Sequence, residues 1–62
     1  MKSYYMVTYQ INENTFCVNV AVASSRECVE KYYSGYKLVD IHEANDWELE
    51  LARRKGMPFV EV

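Results

Sequence analysis

Apolar residues alternate with other residues along most of the stretch from Lys2 to Ala23, and this period of two constrains the fold more than any other feature. The alternating residues are Tyr5, Val7, Tyr9 and Ile11, followed by Phe16, Val18, Val20 and Val22. Successive side chains of a β-strand point to opposite faces, so the pattern predicts two strands. The intervening residues 12–15 are Asn-Glu-Asn-Thr, which is turn chemistry, and we therefore predict a hairpin.

The two phases of alternation also predict a register for this hairpin. If Ile11 lies opposite Phe16 and Tyr5 lies opposite Val22, all of the alternating apolar side chains share one face of the sheet. A slip of one residue would move half of them to the other face. The second face would then carry a mixture of polar and apolar residues.

Ser24 and Glu27 have the spacing of a capping box and predict the start of a first helix, which we expect Gly35 to end. The residues at helical spacing within it are Cys28, Val29, Tyr32 and Tyr33. Alternation returns from Tyr36 to Ala44 and predicts a third strand. In that strand Val39 and Ile41 lie on one face, and the other face carries Tyr36, Leu38, Asp40 and His42.

Asn45 and Glu48 repeat the capping-box spacing and predict a second helix that runs to about Lys55, where Gly56 and Pro58 stop it. We expect its inward residues to be Trp47, Leu51 and Ala52, with Leu49 at the margin. The tail from Met57 to Val62 is apolar and β-branched enough for a short strand. Because proline cannot donate a backbone hydrogen bond, Pro58 would either confine that strand to a sheet edge or stand at the start of the strand.

These elements predict an α+β fold with the order ββαβα and a final short β. We expect residues 1–62 to form a single two-layer domain, in which a three- to four-stranded sheet packs both helices on one face. A chain of 62 residues buries only about 60% of the surface that its unfolded form exposes, so the core should be thin.

Composition argues against several classes of protein. The net charge of −2 and the pI near 5.2 come without a basic stripe, which makes nucleic acid an unlikely partner. No apolar run is long enough to span a membrane, and no signal peptide is recognisable. Two cysteines, Cys17 and Cys28, make a poor disulfide framework, so we expect reduced thiols and a cytoplasmic location. No glycine-rich loop suggests a nucleotide, and we predict no cofactor.

The residues with catalytic chemistry are few. Asp40 and His42 would share a strand face and could meet a metal ion or act as an acid–base pair, but even an open zinc site normally needs three protein ligands. Cys28 lacks a base at a recognisable spacing. We therefore predict no catalytic residue and no metal ligand, and we expect that the protein is not an enzyme.

Six tyrosines in 62 residues are the most unusual count in the sequence. Tyrosine combines a large apolar ring with a hydroxyl group and is frequent at protein interfaces. We predict a candidate interaction surface on the second face of the sheet, formed by Tyr4, Met6, Tyr33, Tyr36 and Leu38. Partial burial within the chain's own fold is an equally good explanation of these residues.

Our leading functional hypothesis is a non-enzymatic protein-interaction or regulatory module that binds either a protein partner or a second copy of itself through a sheet face or edge. Small size, an acidic pI and the lack of a catalytic motif are typical of accessory proteins of bacteria and their mobile elements. One alternative is a nucleic-acid-associated regulator that uses Arg53, Arg54, Lys55 and exposed tyrosines. Another is a small metal-dependent or hydrolytic site around Asp40 and His42.

Overall fold

A computed structural model describes residues 1–62 and contains four strands and two helices in the predicted order. The elements are β1 (Ser3–Asn12), β2 (Thr15–Ala23), α1 (Arg26–Tyr32), β3 (Lys37–Glu43), α2 (Asp46–Lys55) and β4 (Phe59–Glu61). The strand order is β3-β1-β2-β4. Strand β1 is antiparallel to both of its neighbours, whereas β4 is parallel to β2. The predicted α+β class is confirmed, with a mixed sheet.

The two helices pack on opposite faces of this sheet. Val29 of α1 belongs to the core cluster of Val7, whereas Ala52 of α2 belongs to the core cluster of Met6. Met6 and Val7 are adjacent in β1, so their side chains point to opposite faces. We call the face on which Val7 packs against α1 the α1 face, and the face on which Met6 packs against α2 the α2 face. The prediction that both helices pack on one face is therefore wrong, and the structure has three layers instead of two.

The direction of the two crossovers explains this arrangement. The β2–α1–β3 connection runs across β1 towards one edge of the sheet, and the β3–α2–β4 connection runs back across the whole sheet to the other edge. Parallel crossovers are nearly always right-handed. Two connections of the same hand that run in opposite directions place their helices on opposite faces.

A β-bulge at Ile11 changes the hairpin register from the one predicted. Asn12 pairs with Thr15 at the turn, but Gln10 pairs with Phe16, so Ile11 has no partner. A bulge of this kind shifts one strand by a residue relative to the other. The odd-numbered residues of β1 and β2 therefore share the α1 face, and the even-numbered residues share the α2 face. Because a helix covers each face, apolar side chains of β1 and β2 can be buried on either side of the sheet.

A second irregularity lies in β3. Thr8 pairs with Asp40 and Tyr9 pairs with Leu38, which leaves Val39 as the additional residue. The predicted faces of β3 are wrong for this reason, because Leu38 lies on the α1 face while Asp40 and His42 lie on the α2 face.

Helix α1 differs from its predicted ends. Its N-cap is Ser25, whose hydroxyl accepts a hydrogen bond of 3.3 Å from the backbone amide of Cys28, so the predicted cap at Ser24 is wrong by one residue. Tyr33 caps the other end with φ of −96°, and Gly35 does not adopt positive φ. Backbone amides around Tyr33 bond back to the last turn, so this end needs no glycine.

Helix α2 follows the sequence closely at both ends. Asn45 and Glu48 form the predicted capping box, and Gly56 ends the helix with φ of 68°. The predicted burial of Trp47 is wrong, because 69% of its surface is exposed. Residues three positions apart share a helix face, and the inward pair is Leu49 and Ala52, which places Trp47 on the outer side. Neither helix has the length and apolar character that crossing a membrane requires.

The two adjacent serines before α1 allow a matched test of the cap. We expect Ser25→Ala to lower the free energy of unfolding by about 1 kcal/mol, because the amide of Cys28 loses its acceptor. Ser24→Ala removes the same atom without removing the cap and should cost less than half as much. Urea denaturation of both variants would measure the difference, and equal losses would contradict the assignment of Ser25.

Candidate interaction surface

Four tyrosine rings pack together on the α1 face, and we call Tyr9, Tyr32, Tyr33 and Tyr36 the tyrosine cluster. The ring centroids of Tyr9 lie 4.8 Å from Tyr36 and 5.1 Å from Tyr33. Tyr32 meets Tyr33 edge-on at 5.0 Å. Separations of this size are those of attractive aromatic pairs.

Short chain connections bring these rings together. Tyr32 is the last residue of α1, Tyr33 caps that helix, and Tyr36 immediately precedes β3. The backbone amide of Tyr36 donates to the carbonyl of Tyr33 at 3.0 Å, which closes the turn between helix and strand. Tyr9 comes from β1, next to β3 in the sheet. The turn therefore places the rings of Tyr33 and Tyr36 against Tyr9 of β1, with Tyr32 packed on Tyr33.

Asn19 fixes the inner side of the tyrosine cluster. Its side-chain amide nitrogen donates to the hydroxyl oxygens of Tyr9 at 3.1 Å and Tyr33 at 3.2 Å. Tyr33 is buried, with only 3% of its surface exposed. Burial raises the pKa of its phenol, and the hydrogen bond from Asn19 opposes that rise. The buried hydroxyl is therefore satisfied, and the rings beside it are held in place.

The outer side of the tyrosine cluster faces solvent. Tyr32 is 57% exposed and Tyr36 is 50% exposed, although both contact the buried Tyr33. A side chain that is ordered before binding loses little conformational entropy when a partner covers it. The outer side thus offers exposed aromatic rings whose positions are already fixed by their contacts with the buried Tyr33.

The structure separates the five residues that the sequence grouped into one surface. Met6 is buried under α2, and Tyr4, on the same face, lies with its ring 6.1 Å from that of Phe59. Tyr33 and Leu38 pack together in the other core cluster. The prediction of one exposed sheet face is wrong because both faces carry a helix.

Three of the predicted residues do come together on the α1 face, namely Tyr33, Tyr36 and Leu38. The sequence missed the contributions of Tyr9 and Tyr32, which the alternation and the helical spacing favoured as core. Tyr33, proposed as exposed, is the buried member of the helical pair, and Tyr32 is the exposed one. The unusual number of tyrosines was the one signal that pointed to this cluster.

His42 forms a bridge between β3 and the first turn of α2. Its Nδ1 lies 2.6 Å from a carboxylate oxygen of Asp40, and its Nε2 lies 2.7 Å from one of Glu48. A neutral imidazole can donate only one hydrogen bond, whereas the imidazolium donates from both nitrogens. The hydrogen bond to Glu48, followed by that to Asp40, raises the pKa of His42. The same contact with His42 lowers the pKa of Glu48.

The bridge does not have the geometry of a metal site. Asp40 and Glu48 lie on different nitrogens of the His42 ring, so the three side chains do not converge on one point. No group of three histidine, cysteine, aspartate or glutamate side chains in residues 1–62 could hold a metal ion. The arrangement links α2 to the sheet, and no thiol or hydroxyl group hydrogen-bonds to His42.

Cys28 lies at the start of α1, near two hydroxyl groups. Its sulfur is 3.5 Å from the hydroxyl of Ser24 and 3.4 Å from that of Ser25. These hydrogen bonds, with Ser24 first, lower the pKa of the thiol. Cys17 and Cys28 are both free, and neither makes a hydrogen bond with His42. The structure therefore pairs no thiol with a base.

The basic residues at the end of α2 lie on the opposite face from the tyrosine cluster. The guanidinium of Arg53 stands 5.8 Å from the centre of the Phe59 ring, and Arg54 bonds with Glu50 at 3.1 Å. Tyr9 and Tyr33 belong to the α1 face. The structure thus does not join basic side chains and the clustered tyrosines into one surface.

Comparisons with known proteins do not add a functional assignment. No family model, curated protein or solved structure gives a significant match to this chain. The geometry described above is therefore the basis for every functional statement that follows.

The His42 bridge should make stability depend on pH in a defined window. The raised pKa of His42 contributes stability that is full below its ordinary value of 6.5 and is lost as the pH rises through the folded value. The lowered pKa of Glu48 contributes stability that is full above 4.5 and is lost as the pH falls through its folded value. Between pH 4.5 and 6.5 the free energy of unfolding should exceed that of His42→Gln by the largest margin. A constant difference across the range would contradict the bridge.

Asn19 can be tested by removing its amide. We expect Asn19→Leu to lower the free energy of unfolding by about 1–2 kcal/mol, because the buried hydroxyl of Tyr33 loses a donor. The pKa of Tyr33 should rise further, which ultraviolet titration of the tyrosinates would detect. The control Asn14→Ala removes an exposed amide and should change stability by less than about 0.5 kcal/mol.

Proposed function

We propose that this chain is a small, non-enzymatic protein-interaction module whose partner-binding surface is the outer side of the tyrosine cluster. The single observation that carries the proposal is the exposure of Tyr32 and Tyr36 above a fixed, buried Tyr33. Large aromatic side chains dominate the energy of protein interfaces, and tyrosine and tryptophan are frequent at their centres.

The energetics of a small fold support this reading. Only nine residues are buried, and valines are the largest side chains that are fully buried. A chain with so little core gains stability from each aromatic ring that it covers, yet about half the surface of Tyr32 and Tyr36 remains in water. Their exposure is more readily explained by binding than by folding.

The chemistry of the cluster indicates a polypeptide partner. Tyrosine rings offer apolar faces with a hydroxyl at the rim, which suits the mixed polar and apolar surface of a protein. Binding of nucleic acid would need cations beside the rings to meet phosphates. The arginines of α2 lie on the other face, and Arg54 already bonds with Glu50.

The proposal includes a regulatory or accessory role in the cytoplasm. The acidic pI near 5.2 and the free cysteines are consistent with that location. The absence of a thiol–base pair and of a converging ligand set supports the non-enzymatic part of the proposal. A hydrolytic role for Asp40 and His42 has less support, because each ring nitrogen of His42 is occupied by a carboxylate.

Site-specific photo-crosslinking in cells that produce the protein would test the surface. A benzophenone amino acid placed at position 32 or 36 should give a discrete covalent adduct with a protein. The same group at position 16 is the control, because Phe16 is similarly exposed, at 56%, but lies on the α2 face. A partner covers only the patch that it contacts, so the control should give no such adduct.

The outcomes separate the alternatives. An adduct at position 32 that disappears when Tyr36→Ser is added would support the tyrosine cluster. Adducts of equal yield at positions 16, 32 and 36 would indicate nonspecific contact and contradict it. An adduct that nuclease treatment removes would favour the nucleic-acid alternative.

A further inference from the structure

Few apolar contacts attach α2 to the sheet. Leu49 and Ala52 are the residues of this helix that pack on the core cluster of Met6. Ala52 is the one buried residue of α2, and its side chain is a single methyl group. The hydrophobic contribution of a side chain grows with the apolar area that it buries, so an alanine contributes little. Helix α1, which buries Val29 and ends at the buried Tyr33, is attached more firmly.

One side-chain hydrogen bond joins α2 to the sheet, and it runs between Glu48 and His42 at 2.7 Å. The other hydrogen bonds of α2 side chains stay within the helix and its cap, between Asn45 and Glu48 and between Glu50 and Arg54. The carboxylate of Glu48 serves both purposes, because one oxygen accepts from the backbone amide of Asn45 and the other meets the imidazole. The His42 bridge is thus the polar attachment of α2.

The protonation state of His42 sets the strength of this attachment. The imidazolium donates to Asp40 through Nδ1 and to Glu48 through Nε2. Loss of one proton leaves a single donor for two carboxylates and removes the positive charge that attracts both. Asp40 belongs to the same strand as His42, so their contact does not depend on where α2 lies. Only the contact with Glu48 couples the charge of His42 to the position of the helix.

No other charged group competes for the His42 bridge. The remaining charged residues of β3 are Lys37 and Glu43. Within α2, Asp46 and Lys55 have no ion-pair partner, while the three other charged residues engage each other or the ring of Phe59. None of these side chains forms an ion pair with the bridge. Strand β1 places only uncharged side chains beside it on the α2 face.

Backbone hydrogen bonds hold the chain on both sides of α2. The amide of Ala44 donates to the carbonyl of Tyr4 at 2.8 Å, and the amide of Val20 donates to the carbonyl of Pro58 at 3.1 Å. Neither bond involves the helix itself, so α2 can open while its connections stay in place. Such an opening exposes Met6 and Val20, whereas the α1 face keeps its own core cluster. Local openings occur where few buried contacts hold an element.

We propose that the His42 bridge is a pH-sensitive switch, which holds α2 on the sheet while His42 is charged and lets α2 open to uncover Met6 and Val20 when His42 is neutral. The hydrogen bonds with Glu48 and Asp40 raise the pKa of His42, so opening increases as the pH rises through a value above 6.5. The tyrosine cluster lies on the other face of the sheet. The switch therefore does not depend on the interaction proposed for that cluster.

Hydrogen exchange of the full chain, followed by NMR from about pH 5.5 to about pH 8.5 and corrected for the intrinsic exchange rate, measures this opening. Amides of α2 should be less protected than those of β1 and β2 at every pH, because the hairpin amides require global unfolding. The protection of α2 should fall by about two- to fivefold with a midpoint at the pKa of the His42 ring, since an exposed ion pair is lost. Equal protection of α2 and the hairpin, or protection of α2 that does not change with pH, would overturn the proposal.

Glu48→Gln and Glu50→Gln form a matched pair of variants. Glutamine is also accepted in a capping box, so Glu48→Gln preserves the N-cap of α2 while it removes the charge that bonds to the imidazolium. The fall in protection should shrink to less than half in Glu48→Gln. Glu50→Gln removes another carboxylate of α2, which pairs with Arg54, and should retain the whole fall. A full fall in Glu48→Gln, or its loss in both variants, would contradict the switch.

Asp40→Asn tests the division of roles within the His42 bridge. Because Asp40 lies on the same strand as His42 and makes no contact with Glu48, it raises the pKa of the imidazole without holding the helix. Asp40→Asn should therefore lower the pKa of His42 and the midpoint of the fall together, and the size of the fall should stay the same. A fall that disappears in Asp40→Asn would show that the coupling does not run through Glu48.

Discussion

Every other element depends on the burial of the paired centres of β1 and β2 from both sides. Met6 and Val7 in β1, together with Val20 and Ala21 in β2, are consecutive buried residues, so neither strand has a solvent face at its middle. The two helices are needed to cover them, and the thin core is the sum of two half-cores that share one sheet. Displacement of either helix would expose one face of the same two strands to solvent.

The two bulges reconcile this double burial with the chain's local sequence. Each inserts one residue, Ile11 in β1 and Val39 in β3, and both residues are left largely exposed at 53%. Beyond each bulge the strand's side chains change faces relative to the neighbouring strand. The bulge in β3 brings Leu38 to the tyrosine side while leaving His42 beside α2. The tyrosine cluster and the His42 bridge are thus separate structures on opposite faces.

The sequence predicts the ends of α2 well because they depend on single residues. It predicts poorly which face of the sheet a side chain occupies, because one extra residue in a strand reverses the faces. Asn45 acts through its side-chain cap, Gly56 through its positive φ and Pro58 through its fixed φ, so α2 and the position of β4 follow from a few residues. Neither bulge contains glycine, and an extra residue without such a marker leaves no trace in an alternating pattern. Helix α1 has only seven residues, too few for spacing to decide which of Tyr32 and Tyr33 faces inward. The identity of the exposed tyrosines therefore required coordinates.

The route of the chain from β3 to β4 has a consequence for the order of assembly. These strands occupy the two edges of the sheet, and the segment that joins them passes over β1 and β2. During synthesis, the hairpin and α1 can associate early, but the α2 side of the central strands stays uncovered until that last segment has emerged. Contacts between distant parts of a chain form slowly because of the entropy of closing long loops. A nascent chain would thus present Met6 and Val20 to its surroundings for longer than any other core residues.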